Sequence, residues 1–331
     1  MTGCKLPRGP AWLRIQEKEE MKLISIITPC YNEEENVAEL YNRVKQVMAD
    51  LPGYAYEHIF IDNASTDRTV EILRALAQSD KNLKVIINAR NFGHIRSPYY
   101  AILQAKGDAV ISIMADLQDP PGMIKDFVQK WESGYKIVVG VKKESRESKL
   151  FYALRQLYYR TLTRLSNVEL IEQFTGFGLY DRQVVEILRD FNEPYPYFRG
   201  LIAEIGLKRA EIEYVQPLRH RGITKNNFYT LFDIAMLGLT SHSKVPLRLA
   251  VIIGFFSAIA SLMVALVYLV YKLLFWSSFT VGLAPLVVGI FFFSSVQLIF
   301  LGVVGEYVGS IHTYVQRRPL IIEKERINFQ T

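Results

Sequence analysis

Two long uncharged stretches near the end of the chain constrain its fold more than any other feature. Between Leu249 and Gly305 the only charged side chain is Lys272. The first stretch runs from Leu249 to Tyr271, and the second runs from about Leu283 to Gly305. Each meets the requirement of roughly 20 apolar residues for a helix that crosses about 30 Å of hydrocarbon. The sequence therefore predicts a two-helix membrane hairpin, because the alternative, buried core helices, are seldom this long and this free of charge.

Basic residues flank this predicted hairpin on both sides. Lys244 and Arg248 precede the first stretch, and Arg317 and Arg318 follow the second. Loops rich in Lys and Arg stay in the cytoplasm. We therefore predict an integral membrane protein with the large preceding domain and both termini in the cytoplasm; the resemblance described below implies a bacterial inner membrane.

The composition agrees with a folded domain ahead of the hairpin. The 331 residues include 39 Lys plus Arg and 33 Asp plus Glu, which leaves a net charge of +6, and half of the residues are hydrophobic. Such a composition excludes a disordered chain and a collagen-like repeat, and two cysteines are too few for a disulfide scaffold. The chain has no GxGxxG or GxxxxGK[ST] loop, which disfavours a dinucleotide-binding fold and a P-loop.

Short apolar strands alternate with helical segments from residue 22 onward. We expect a first strand at 23–28, stopped by Pro29, followed by a helix that Asn32 caps. Further elements alternate in the same way, and the sequence predicts strands at 56–61, 83–88, 109–114 and 136–140 and helices at 66–79, 97–105 and 122–132. This alternation predicts an α/β fold with a mostly parallel sheet covered on both faces. In such sheets ligands bind at the carboxyl ends of the strands.

Polar residues gather at those predicted strand ends. Pro29 to Glu33 follow the first strand, Asp62 to Asp67 the second, and Asp116 to Pro121 the fourth. Turn chemistry alone explains any one of these clusters about as well as a binding site does, since Asp and Asn favour turns. Three acidic clusters at one edge of one sheet favour a site.

The three segments together resemble the signature of the family 2 glycosyltransferases with the GT-A fold. They read TPCYNEEEN around Pro29, IDNASTDRT around Asp62, and ADLQDPP around Asp116. The most similar branch is that of the polyprenyl-phosphate glycosyltransferases, which includes dolichol-phosphate-mannose synthases and bactoprenol-phosphate glucosyltransferases. The similarity spans residues 22 to about 230, and the apolar hairpin matches the bacterial glucosyltransferases. The resemblance implies a nucleotide-diphosphate-sugar donor, a lipid-phosphate acceptor, and Mg²⁺ or Mn²⁺ to hold the diphosphate.

On this basis we divide the chain into five parts. They are a loose N-terminal extension (1–21), a GT-A catalytic domain (22–225), an amphipathic juxtamembrane helix (226–246), two transmembrane helices (247–310) and a cytoplasmic tail (311–331). The amphipathic helix is expected to lie at the bilayer surface and to hold the catalytic domain close to it.

The metal site implied by the resemblance consists of Asp116 and Gln118. The two residues would share one side of an extended segment and offer the hard oxygen ligands that Mg²⁺ and Mn²⁺ prefer. The family pattern D-A-D-x-Q begins here with Met114, so its first carboxylate is missing. Asp119 is a further acid to which the pattern gives no role.

The resemblance also implies residues that bind the donor. Pro29, Tyr31, Glu33 and Asp62 occupy the positions that surround the base and ribose of the nucleotide in this family. Tyr31 could stack on the base, or it could simply be a packed aromatic side chain. Asp62 or Glu33 could accept hydrogen bonds from the base or the ribose.

A basic group is expected to bind phosphates. Arg219 and Lys225 match the pair that clamps the donor phosphates in the resembled family, and Lys142 stands where that family has an arginine. A juxtamembrane patch that attracts anionic lipid is the alternative explanation for Arg219 and Lys225. Arg155 or Arg160 is expected to hold the acceptor phosphate, although the surrounding segment could equally be an amphipathic helix on the membrane.

We therefore predict metal-dependent, inverting transfer of glucose from UDP-glucose to undecaprenyl phosphate, with Asp116, Arg219 and Lys225 as catalytic residues. Mannose transfer from GDP-mannose is an alternative. A non-catalytic nucleotide-binding scaffold is another, because Asn63 and Met114 replace acids common in this fold. A processive polysaccharide synthase would show a Q-x-x-R-W motif and more spans. No nucleic-acid partner is expected, and the sequence leaves a homo-oligomer open.

Overall fold

A computed structural model describes residues 21–143, 171, 173–217, 236–237, 243–275 and 283–329. Within these ranges the strands are β1 (Leu23–Cys30), β2 (Ala55–Asp62), β3 (Leu83–Asn88), β4 (Ala109–Ser112), β5 (Ile137–Lys142), β6 (Phe174–Asp181), β7 (Arg209–Tyr214) and β8 (Glu323–Ile327). The helices are α1 (Val37–Ala49), α2 (Thr69–Ser79), α3 (Gly93–Gln104), α4 (Met123–Glu132), α5 (Arg182–Phe191), α6 (Phe198–Glu204), α7 (Val245–Leu274) and α8 (Leu283–Gln316).

All eight strands form one sheet in the order β7-β5-β6-β4-β1-β2-β3-β8. The four central strands, β4, β1, β2 and β3, run parallel to one another. β6 runs antiparallel to both β4 and β5, and β8 runs antiparallel to β3. The predicted mostly parallel sheet is confirmed. Because β1, β2 and β4 are parallel neighbours, their carboxyl ends meet at one edge of the sheet.

Side chains that alternate along the strands cover both faces of this sheet. Ile24 and Ile26 of β1 point to one face, where they pack in a core that includes side chains of α1 and α4. Ile27 of β1 and Ile59 of β2 belong to the opposite core, which includes side chains of α3 and α5. Strand residues point alternately to opposite faces, so apolar strands require helices on both sides. The helices cover the two faces of the sheet and leave the carboxyl ends of the strands uncovered, so a binding site can form there.

The first strand is longer than predicted, because Pro29 does not stop it. Pro29 pairs with Ile61 of β2, but on the other side the ladder between β1 and β4 already ends at Ile27 and Ser112. A proline is tolerated in a strand where no ladder hydrogen bond requires its missing N–H group. β1 therefore continues to Cys30.

The helix after β1 begins later than predicted. α1 starts at Val37, with Asn36 before it, so Asn32 does not cap this helix. Asn32 instead adopts a φ of +54°, and its side-chain oxygen accepts a hydrogen bond from the Thr66 N–H at 2.8 Å. An Asn side chain can serve a turn as readily as a helix start, and here the neighbouring loop offers the donor.

The two predicted apolar helices are present as α7 and α8. Both are long and apolar enough to cross a membrane, by length and composition, over Val245–Leu274 and Gly289–Gln316. Their large hydrophobic side chains are exposed along most of this length. The Tyr307 hydroxyl of α8 donates to the Ser243 carbonyl just before α7 at 2.6 Å. The beginning of α7 and the later part of α8 therefore lie side by side, as in a hairpin.

The chain after α8 is part of the sheet rather than a separate tail. β8 pairs with β3, and the Arg74 guanidinium of α2 forms an ion pair with Glu325 of β8. The Asn328 side chain donates to the Ala77 and Leu83 carbonyls at 2.6 and 2.8 Å. The division at residue 311 is thus corrected: the last strand completes the domain that begins the chain. The sequence pattern does not predict β6, β7 or β8. The charged EKERI segment of β8 lacks the apolar pattern that predicted β1 to β5, because it forms an edge of the sheet.

Candidate active site

Hydrogen bonds join the loop after β1 to the loop after β2. The Asn32 N–H donates to the Ser65 hydroxyl at 2.8 Å, and the Glu33 N–H donates to the Thr69 hydroxyl at 2.9 Å. In return, the Thr66 N–H donates to the Asn32 side chain. Short polar side chains thus satisfy the backbone donors of both loops. Because these hydrogen bonds satisfy the backbone donors, the loops can keep fixed positions without regular secondary structure.

The residues predicted to surround a nucleotide lie on these two loops. Asp62 is fully buried, and its carboxylate accepts hydrogen bonds from the Ser65 N–H at 3.0 Å and from the Ser65 hydroxyl. Burial raises the pKa of the Asp62 carboxyl above its ordinary value. Pro29, Tyr31 and Glu33 are partly exposed at the same edge. Contact of these four residues with a nucleotide stays a prediction; the contacts observed for Asp62 hold its loop.

Asn63 connects the β2 loop to the loop after β3. Its side-chain nitrogen donates to the Asn91 side chain at 2.8 Å and to the Gly93 carbonyl at 3.2 Å. Its side-chain oxygen accepts from the Phe92 N–H at 2.9 Å and from the buried Asn88 amide at 3.0 Å. A carboxylate could not make the two donor contacts, since it only accepts. The amide therefore has a structural role here.

The predicted metal ligands lie on a turn after β4, not on an extended segment. β4 ends at Ser112, and Leu117 adopts a φ of +60°. The Gln118 N–H donates to Asp116 Oδ1 at 3.2 Å, and Gln118 Nε2 lies 3.4 Å from the Pro217 carbonyl. Alternation along a strand is therefore the wrong reason for the pairing of Asp116 with Gln118. On the turn, the Asp116 carboxylate accepts from the Gln118 backbone, while the Gln118 side chain contacts the Pro217 carbonyl.

Asp119 fastens this turn to the neighbouring strands. Its carboxylate is buried and accepts hydrogen bonds from the Met114 N–H at 3.2 Å and from the Tyr214 hydroxyl of β7 at 3.0 Å. Burial raises its pKa to about 6, although the Met114 N–H and the positive charge of Lys142 act in the opposite direction. In the sequence, Asp119 is the third polar residue of its cluster and precedes two prolines. The sequence does not show which residues its carboxylate contacts.

Each of the three loops contains a residue other than glycine in the left-handed backbone region. These residues are Asn32, Ala64 and Leu117, with φ values of +54°, +63° and +60°. This conformation is costly for Ala and Leu, and such residues concentrate at functional sites. The three acidic clusters predicted from the sequence are thus also places where the fold tolerates backbone strain.

The residues on the turn fit a divalent cation shared with a ligand. The described part of the chain has no group of three or more His, Cys, Asp or Glu side chains placed to hold a metal. Asp116 and Gln118 still offer a carboxylate and an amide oxygen on one ordered turn. Mg²⁺ typically binds one or two protein groups and takes its other ligands from phosphates and water. When bound, such an ion would neutralise negative charge on a diphosphate.

The remaining predicted residues are basic. Lys142 is the last residue of β5, pairs with Tyr214, and lies at the same edge of the sheet as Asp119. The others, Arg155, Arg160, Arg219 and Lys225, lie outside the described residues, and so does most of the predicted amphipathic helix.

This sheet order, with polar loops at the ends of β1, β2 and β4, fits the GT-A fold. The chain belongs to glycosyl transferase family 2, whose model matches residues 25–188. An uncharacterized glycosyltransferase of Bacillus subtilis, YkcC, is 35% identical over 90% of this chain and 92% of its own length. The bactoprenol glucosyl transferase of Shigella phage SfII is 34% identical over 91% of this chain and 97% of its own.

A more distant likeness is found among solved structures. The glucosyl-3-phosphoglycerate synthase of Mycobacterium tuberculosis, in complex with Mn²⁺, UDP-glucose and phosphoglyceric acid, gives a TM-score of 0.45 at 18% identity. The match covers 66% of this chain and 78% of that one. At this level of similarity it supports no conclusion about metal or substrate in this protein.

Proposed function

We propose that this glycosyltransferase moves glucose from UDP-glucose to the phosphate of undecaprenyl phosphate, with inversion at the anomeric carbon. The similarity to bactoprenol glucosyl transferases along nearly the whole chain supports this acceptor and this sugar. The two apolar helices support it as well, since a polyprenyl chain leaves the bilayer only at a cost of about 0.8 kcal/mol per CH₂ group. Confinement to one membrane brings enzyme and acceptor together.

The reaction is a direct displacement. An oxygen of the lipid phosphate donates an electron pair to the anomeric carbon, while the bond from that carbon to the diphosphate oxygen breaks and its electrons leave with the nucleotide diphosphate. A phosphate monoester has a second pKa of about 6, so at neutral pH the nucleophile is already largely deprotonated. The enzyme therefore has to align the two reactants and stabilise the charge of the leaving group.

The chain's own residues have distinct parts in this proposal. Asp116 and Gln118 would hold Mg²⁺ or Mn²⁺ against the diphosphate. Asp119 positions their turn through its bonds to the Met114 N–H and the Tyr214 hydroxyl. Lys142, together with Arg219 and Lys225, would add positive charge around the phosphates. Pro29, Tyr31, Glu33 and Asp62 would form the nucleotide pocket, and Arg155 or Arg160 would bind the acceptor.

We further propose that the active site faces the cytoplasm. Lys244 and Arg248 at the start of α7 and Arg317 and Arg318 after α8 satisfy the positive-inside rule. The contact between Tyr307 and Ser243, and the return of β8 to the sheet, support a common side for both helix ends and the catalytic domain.

The turn that carries Asp116 and Gln118 is the observation on which this proposal depends, and replacing its carboxylate tests it. We expect Asp116→Asn to lower the rate of glucose transfer by at least about 100-fold, the scale seen when one charge-stabilising group is lost. The rate is measured as the transfer of radiolabelled glucose from UDP-glucose to undecaprenyl phosphate over a range of Mn²⁺ concentrations.

Asp126→Asn is the matched control, because Asp126 is an exposed acid in the first turn of α4. This control should keep the wild-type rate, and both variants should keep the wild-type Tm. A wild-type rate in Asp116→Asn would refute the metal assignment. Transfer by the wild-type protein from GDP-mannose but not from UDP-glucose would instead establish the alternative donor.

A further inference from the structure

A cavity lies beside the turn of Asp116. It has a volume of about 160 Å³ and is bounded by the start of α3, the end of β4, the start of β6 and the start of α6. Met114, two residues before Asp116, forms part of its wall, as do Ser112 and Thr175. We call this cavity the α3–α6 pocket. Through Met114 it borders the segment that carries the proposed metal ligands.

The ionisable side chains that line the α3–α6 pocket favour an anion. Among the described residues around it, none is a carboxylate, whereas Arg199 and His94 both contribute. Burial, followed by the charge of Arg199, lowers the pKa of His94, so the imidazole is neutral and can donate one N–H bond at pH 7. The Arg199 guanidinium lies 5.7 Å from the centre of the Tyr197 ring and donates to the Phe174 carbonyl at 3.5 Å. Both residues that it contacts lie next to residues of the pocket wall.

Met114 makes the part of the pocket nearest the turn compatible with a phosphate. A carboxylate at this position would repel an incoming anion across a short distance. The thioether of Met114 carries no charge. Met114 thus adds no negative charge to the pocket wall nearest the turn.

The same pocket adjoins a groove at the membrane helices. The groove has a volume of about 330 Å³ and is lined by Gly305, Glu306 and Gly309 of α8, among others. Tyr195 lines the groove, and the next residue, Pro196, lines the α3–α6 pocket. One loop therefore separates the two cavities. Among the described residues, this loop joins the wall of the α3–α6 pocket to the groove beside α8.

The charges of the two cavities differ in sign. Glu306 is the ionisable acid of the groove, and no Lys, Arg or His is among the described residues that line it. A phosphate is therefore disfavoured in the groove and favoured in the α3–α6 pocket, where Arg199 stands. An uncharged isoprenoid chain has no such preference and can remain beside α8.

We propose that the α3–α6 pocket binds the phosphate monoester of the membrane acceptor, through Arg199 and His94, while its hydrocarbon chain lies along the α8 groove. This inference rests on the proposed transfer to a polyprenyl phosphate and assigns its acceptor site. It adds described residues to the acceptor site predicted around Arg155 and Arg160.

Steady-state kinetics of the full-length protein in nanodiscs test the assignment. Because hydrogen bonds to charged groups are among the strongest, we expect Arg199→Gln to raise the KM for undecaprenyl phosphate about tenfold or more. The KM for UDP-glucose should stay within about twofold, and Arg199→Lys should restore part of the loss because it keeps the charge. Arg189→Gln, which removes an exposed arginine of α5 paired with Glu186, should match the wild type.

A rise in the KM for UDP-glucose, or a changed preference among sugars, would show that the pocket holds the sugar and would overturn the assignment. An unchanged KM for the lipid in Arg199→Gln would overturn it as well. Equal Tm values for Arg199→Gln and the wild type exclude unfolding as the cause of any loss.

A binding measurement without donor separates this inference from the proposed reaction. We expect the wild-type protein to bind farnesyl phosphate in calorimetric titrations, and Arg199→Gln to bind it about tenfold more weakly. Farnesol, which lacks the phosphate, should bind both proteins equally. If inorganic phosphate binds as tightly as farnesyl phosphate, the site is one for free phosphate and the inference is wrong. If farnesyl phosphate binds as expected but no sugar is transferred, the proposed reaction fails and the pocket stands.

Discussion

The side-chain amide of Asn63 connects the loop after β2 to the loop after β3 at the carboxyl edge of the sheet. Asn63 uses both its nitrogen and its oxygen, and it contacts Asn88, Asn91, Phe92 and the Gly93 carbonyl. From the sequence, Asn63 was a departure from an acidic position and an argument for a protein without catalysis. The structure gives the amide a role that an acid could not fill, and the family shows a glycosyltransferase.

Replacing the Asn63 amide by a carboxylate tests whether its contacts hold the loops together. In Asn63→Asp a carboxylate would face the Asn91 side-chain oxygen and the Gly93 carbonyl, both of which are acceptors. We expect the free energy of unfolding to fall by about 2 to 3 kcal/mol, the cost of unmet polar groups in a buried site. The Tm of the full-length protein should drop by about 5 to 10 °C.

Asn42→Asp is the control for this prediction, because Asn42 is exposed on α1. Its Tm should change little, as for most surface substitutions. Equal melting temperatures for the two variants would mean that the Asn63 contacts do not hold the loops.

Among the elements, β1 and β4 approach each other so closely that glycine is required before β4. A Cβ atom on Gly107 would lie 2.6 Å from the Ser25 backbone nitrogen and 2.7 Å from the Leu23 carbonyl oxygen. The contacting atoms belong mainly to a central strand, which cannot move without disturbing its ladders to β2 and β4. The close approach fixes the start of β4 and, through it, the turn of Asp116.

We therefore expect Gly107→Ala to destabilise the protein by about 1 to 3 kcal/mol, the range for an overpacked site. Gly53→Ala is the matched substitution, since a Cβ atom there meets nothing within 4 Å. Thermal melts of both variants in the same detergent provide the comparison. A loss in Gly53→Ala as large as that in Gly107→Ala would show that glycine content, and not the contact with β1, sets the stability.

Across the whole molecule, β8 links the membrane helices to the catalytic sheet. α8 ends at Gln316, and only a few residues later β8 pairs with β3 at the edge of the sheet. The edge of β3 is thereby covered, which protects it from pairing with other chains. The same pairing ties the orientation of the sheet to the end of the hairpin.

Ending the chain after Arg318 should expose the edge of β3. Four residue pairs join β8 to β3, and each is worth about 0.2 to 1 kcal/mol, so we expect a loss of about 1 to 4 kcal/mol. A lower Tm and more aggregate in size-exclusion chromatography would follow. Removal of residues 330–331 alone keeps β8 and should leave both measurements unchanged. A shortened chain that melts and elutes like the full-length protein would contradict a stabilising role for β8.

The sequence alone predicts the features that depend on the local pattern of apolar and polar residues. Strand and helix alternation predicted β1 to β5 and the helices between them, because buried parallel strands need continuous apolar runs. Two uncharged stretches predicted α7 and α8, since the length of a membrane span is set by the bilayer. The loop motifs were sufficient to identify the family.

Tertiary structure alone decided the features that depend on distant partners. The extent of β1 past Pro29 depends on where β4 stops pairing, and the strand at Glu323–Ile327 depends on an edge that β3 offers. The role of Asp119 depends on Tyr214, 95 positions later in the chain. The local sequence does not encode such contacts. A turn, an edge strand or a buried acid is stabilised by whichever groups the fold brings to it.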